Sequence, residues 1–116
     1  MRLLAFEDST DIEALLIAGG LDLATVTMEQ RWHSTDALSH IQRFAPDVLL
    51  LNHYMPPNTG YDVLQALLNA RIARPPTIVA MSSESSKNDA MVTLGADIGV
   101  VKYDLASLPL WSTLRG

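Results

Sequence analysis

The stretch Pro46-Asp47-Val48-Leu49-Leu50-Leu51-Asn52-His53-Tyr54-Met55-Pro56-Pro57-Asn58-Thr59-Gly60 decides how the chain is read. Pro46 stops the helix that precedes it. Val48 to Leu51 is apolar without a break, as a parallel strand buried on both faces must be. The run then halts on a polar residue, Asn52. The Met55-Pro56-Pro57 loop leads into a helix from about Gly60 to Ala70, carried on Val63, Leu64, Leu67 and Leu68.

Outward from this segment the same alternation recurs. Leu3-Leu4-Ala5-Phe6, Thr77-Ile78-Val79-Ala80-Met81 and Ile98-Gly99-Val100-Val101 are further buried-strand runs, and Ala24 to Met28 suits a strand nearer an edge. Thr10 with Glu13 makes a capping box ahead of Ile12, Leu15 and Leu16, and Gly19-Gly20 ends that helix. Ser34 can cap a helix through Phe44 on Ala37, Leu38 and Ile41. Another runs from about Ser86 to Leu94 and ends at Gly95. Strict alternation of strand and helix predicts right-handed crossovers and a parallel sheet covered on both faces. At the end of the chain Pro109 interrupts the expected last helix. Ser107 as N-cap with Pro109 in the first turn leaves a short or irregular helix to about Arg115. In such folds the chemistry lies beyond the carboxyl ends of the strands. The residues there are Glu7 and Asp8, Asn52, Ser82 and Lys102.

Composition narrows the function. The 116 residues carry 8 basic and 13 acidic side chains, a formal net charge of −5, with the basic residues scattered. Direct binding of nucleic acid is therefore disfavoured. With Cys 0, disulfides, thiolate catalysis and thiolate metal sites are excluded, in keeping with a cytoplasmic location. Glu7 and Asp8 interrupt the apolar N-terminus too early for a signal peptide, and no apolar run approaches the ~20 residues of a membrane span. His33, His40 and His53 lack metal-ligand spacing, and nucleotide-binding glycine motifs are missing. One domain over residues 1–116 is expected, alone or as the N-terminal domain of a longer regulator.

The chain resembles the receiver domains of two-component response regulators along essentially its whole length. Met55, Pro56 and Gly60 stand where that family has them relative to its acceptor aspartate, and Glu7-Asp8, Ser82, Gly95-Ala96-Asp97 and Lys102 are in register too. The resemblance implies an α/β, doubly wound five-stranded sheet of flavodoxin-like order 2-1-3-4-5. It also implies a site in which the acceptor and the acid pair hold Mg²⁺ while a hydroxyl and a lysine bind the phosphoryl oxygens.

Here the acceptor position is Asn52, whose neutral carboxamide is a poor nucleophile and forms no stable acyl phosphate. The family's switch aromatic, three positions before the lysine, is Gly99. Lys102 is followed by Tyr103 instead of proline, and the interval from Ser82 to Gly95 is about two residues short. A degenerate receiver is expected, with no catalytic residue, no cofactor and at most weak Mg²⁺ binding at Glu7 and Asp8. Lys102 should pair with Glu7 or Asp8. Signalling would proceed without phosphorylation, through a partner signalling protein or a second copy, with Leu108, Leu110 and Trp111 as the candidate interface unless they close the domain's own core. The alternatives are a conventional receiver whose aspartate was replaced at position 52, and a small enzyme or ligand-binding protein on the same fold.

Overall fold

The computed structural model describes residues 1–115, organised around a five-stranded parallel sheet of order β2-β1-β3-β4-β5. The strands are β1 (Arg2–Phe6), β2 (Thr27–Arg31), β3 (Val48–Leu51), β4 (Thr77–Ala80) and β5 (Ile98–Gly99). The helices between them are α1 (Ile12–Ala18), α2 (Ala37–Phe44), α3 (Gly60–Asn69) and α4 (Ser85–Leu94). The expected order of strands is the observed one.

Every residue of β3 is buried, because its side chains alternate between two cores. Leu49 and Leu51, with Leu4, Phe6, Ile78 and Ala80, face α2, α3 and α4. Val48 and Leu50, with Leu3, Ala5, Val79 and Met81, face α1 and the chain end. Pairing is in register across the sheet: Phe6 lies beside Leu51, Leu51 beside Ala80, and Ala80 beside Gly99. The residues that follow each strand therefore emerge along one edge.

Several expectations need correction. Strand β2 begins at Thr27 instead of Ala24, and its partial exposure is that of an edge strand. Helix α1 is capped by Asp11, whose carboxylate accepts from Ala14 N–H at 3.1 Å, and not by Thr10. Ser34 does not cap α2. Its hydroxyl accepts from Asn58 N–H and donates to Asn58 O, both at 2.8 Å, which ties the approach to α2 to the β3–α3 loop. The C-terminal segment forms two 3₁₀ turns, Lys102–Ser107 and Pro109–Leu114, with Pro109 opening the second and no side-chain cap from Ser107.

The largest correction is Trp111. It is 0% exposed, sits among Leu3, Leu16, Leu105 and Leu114, and donates its indole N–H to Leu105 O at 2.8 Å. A short, apolar, proline-interrupted end has no long helix with which to cover the sheet, so the indole fills that space. Leu108 and Leu110 are half-buried against the same core. The buried indole closes the domain and is not the exposed centre of an interface.

Candidate functional site

The strand ends deliver Glu7 and Asp8 from β1, Asn52 from β3, Ser82 from β4 and Lys102 from just past β5. Gly60 lets α3 begin hard against the strand end, since a Cβ there would collide with the Asn52 carbonyl. Lys102 N–H donates to Ser82 O at 3.2 Å, which brings the lysine back over the sheet edge.

Glu7 is 0% exposed and Lys102 5%, and Lys102 Nζ lies 2.6 Å from Glu7 Oε1. The other carboxylate oxygen accepts from Ser9 N–H at 2.7 Å, Ser9 Oγ–H at 3.0 Å and Thr10 N–H at 2.9 Å. Burial pushes this carboxyl up, but the lysine and the two amides outweigh it and hold it below the usual carboxylate range. The expected acid–lysine pair is thus present and Glu7 is its acid. Asp8 is exposed and meets Asn52, whose Nδ2 donates to Asp8 Oδ1 at 3.3 Å and to Tyr54 O at 2.8 Å.

Magnesium, which the resemblance implies, needs several hard oxygens carrying charge. Both oxygens of Glu7 are already engaged, and Asn52 turns N–H toward the cluster. As arranged, these residues do not fit the ion. No group of three or more His, Cys, Asp or Glu placed to hold a metal occurs among the described residues.

Ser82 is buried, and its hydroxyl accepts from Glu84 N–H at 3.2 Å, a turn-forming bond. Gly99 is exposed, and the place a side chain would take is flanked by Val92 Cγ2 and Asn88 Cβ. Asp97 works at the opposite end of the sheet, where its carboxylate accepts from Ile78 N–H and Arg74, both at 2.8 Å. Arg74 and the Ile78 amide outweigh the upward push of burial and hold that carboxyl below its usual range.

Three participants were not singled out from the sequence. Asn88 is 2% exposed; its Oδ1 accepts from Ser82 N–H at 2.7 Å, and its Nδ2 donates to Ser82 O at 2.9 Å and Val100 O at 2.8 Å. The signal was a polar residue one helical turn before the buried Met91. Gln30 serves the start of α1 in the same way, accepting from Ile12 N–H and donating to Glu7 O and Thr10 O. Tyr54 spans the mouth of the site, its hydroxyl donating to Glu84 Oε2 at 2.9 Å, and nothing in the sequence pointed to that contact.

A parallel sheet of order 2-1-3-4-5 with helices on both faces is the flavodoxin-like fold, which receiver domains share. Solved structures agree. The chain is similar to a CheY-like response regulator receiver domain from Methylobacillus flagellatus, with 17% identity over 97% of both chains and a TM-score of 0.73. It is also similar to the chemotaxis protein CheY4 of Vibrio cholerae, with 24% identity, 87% of this chain and 85% of that one covered, and a TM-score of 0.69. A third is the response regulator domain of Thermotoga maritima CheB, with 18% identity, 88% and 78% coverage and a TM-score of 0.70. No family model and no curated protein matches the chain.

Proposed function

We propose that residues 1–116 act as one degenerate receiver domain that signals without phosphorylation, by binding another signalling protein or a second copy of itself in the cytoplasm. The observation that carries this reading is Asn52, which stands at the acceptor position, is 3% exposed, and has its amide nitrogen committed to Asp8 and the Tyr54 carbonyl. A side chain so placed offers a phosphodonor no nucleophile. Glu7 and Lys102, the charged groups that would handle metal and phosphoryl oxygens, are committed to each other. The similar solved structures are described as receiver domains and a chemotaxis protein, which favours a signalling module over an enzyme. No helix is long and apolar enough to cross a membrane among the described residues. With Trp111 assigned to the core, the exposed apolar residues beside β5 are Val92, at 40%, and Tyr103, at 67%, and these are the better candidates for a partner to touch.

A conventional receiver altered only at position 52 accounts for Asn52 but not for the flanking of Gly99 by Val92 and Asn88. Incubation with acetyl phosphate and Mg²⁺, read by intact mass, tests the proposal. The mass is expected to stay unchanged. A stoichiometric, base-labile gain of one phosphoryl group overturns it.

A further inference from the structure

The orientation of the Asn52 amide is forced. Both groups facing its nitrogen, Asp8 Oδ1 at 3.3 Å and the Tyr54 carbonyl oxygen at 2.8 Å, are acceptors, so a reversed amide would set oxygen against oxygen. Two oxygens from two different loops therefore converge on one point, and an NH₂ group lies between them. Converging oxygens can be bridged by a hard cation or by N–H donors. Here neutral N–H donors bridge them, and the one carboxylate at that point is Asp8, since Glu7 is matched by Lys102.

We propose that the carboxamide nitrogen of Asn52 takes the place of a divalent cation, cross-linking the end of β1 to the β3–α3 loop and setting the start of α4 in one arrangement with no ligand bound. The inference rests on reading Asn52 as a working residue of a phosphate-independent domain. Its consequence travels by named bonds. Tyr54, held by its carbonyl at Asn52, reaches through its hydroxyl to Glu84, the residue before α4. Glu84 N–H donates to Ser82 Oγ, Ser82 N–H donates to Asn88 Oδ1, and Asn88 Nδ2 donates to Val100 O beyond β5. The path runs from Asp8 to Val100, the residue after Gly99. In a cation-dependent site its first link would form only on loading, whereas here the polypeptide supplies it permanently.

Two measurements on the whole chain test this: thermal melting with magnesium or manganese against chelator, and amide hydrogen exchange in residues 53–59 and 83–90. The natural chain should melt at the same temperature with millimolar Mg²⁺ as with chelator and should show both segments protected. Asn52→Asp should exchange roughly tenfold faster or more in chelator, the scale of losing one link in a local opening equilibrium, and regain protection with Mg²⁺. Adding Asp8→Asn should abolish the regain. Asn52→Ala, which carries neither donors nor charge, should loosen both segments and stay loose with metal. A saturable Mg²⁺-dependent rise in the natural chain's melting temperature overturns the proposal. So does natural-like protection of Asn52→Asp or Asn52→Ala in chelator. Metal binding by the natural chain would leave the phosphorylation result standing, so the two ideas fail separately.

Discussion

Breaking the pair between Glu7 and Lys102 should be costly, and the structure indicates how costly. The two side chains are 0% and 7% exposed and 2.6 Å apart, so neither charge has much access to water. Removing one member of such a pair strands the other, at about 3–5 kcal/mol. Lys102→Met should fall near the lower end, about 3 kcal/mol, because Ser9 and Thr10 still donate to the carboxylate. Glu7→Gln should cost at least as much. Glu7 is the one carboxylate within 4.0 Å of the ammonium among the described residues, and the three groups donating to Oε2 lose their charged acceptor. The double variant should cost clearly less than the sum, with a coupling of roughly 1–3 kcal/mol, because it strands no charge. Urea denaturation is the assay. At a slope of about 1.5 kcal/mol per molar urea, a 3 kcal/mol loss lowers the midpoint by about 2 M. Single variants that lose under about 1 kcal/mol and add independently in the double would refute the reasoning, since that is the signature of a solvent-screened pair.

Trp111→Ala should destabilise the domain by about 3–5 kcal/mol through a core cavity, read by denaturation; a near-neutral result would return the indole to the surface. Asn88→Ala should cost about 1–3 kcal/mol and raise hydrogen exchange at Ser82 N–H, because it leaves that buried donor without its acceptor, while Ser82 O keeps the Lys102 N–H. The Glu7 carboxyl lies below its usual value of 4.5, so the folded state binds its proton less readily than the unfolded chain. Its contribution is then fully present above 4.5 and is lost as pH falls below that value, and Glu7→Gln should flatten this part of an acid-stability profile. An unchanged acid limb in Glu7→Gln would assign the loss to other carboxylates.

What the sequence made legible follows from how local each signal was. The runs Leu3–Phe6, Val48–Leu51 and Thr77–Ala80 are buried on both faces, and continuous hydrophobicity marks such strands in one dimension. The edge strand β2 was placed three residues early because one partly exposed strand has no comparable stripe. Site positions were legible because the parallel register carries Glu7 and Asn52 to one edge, and the charge on Lys102 then had an evident partner. Trp111 stays open between core and interface in the sequence, because a count of apolar residues near a proline does not say which of them the sheet still needs covered. Tyr54 and Glu84 are 30 positions apart and meet only through loop geometry, which no periodicity encodes.

The departures from the receiver pattern fit one another physically. A third carboxylate at position 52 would face Asp8 across 3.3 Å, where the amide now donates, and would set its oxygens against the Tyr54 carbonyl. Relief of that repulsion would call for a cation or for Lys102, and Lys102 already balances Glu7. Gly99 leaves no aromatic side chain to move inward, and Asn88 ties Ser82 to Val100 beside it through one buried and one part-buried hydrogen bond. A neutral acceptor position, a closed ion pair and a β4–α4 connection held by Asn88 are each what the proposed phosphate-independent reading requires. Under the proposed phosphate-independent reading, the surface around α4, Gly99 and Tyr103 would have one form, and regulation would come from the abundance or localisation of the partner and not from chemistry at Asn52.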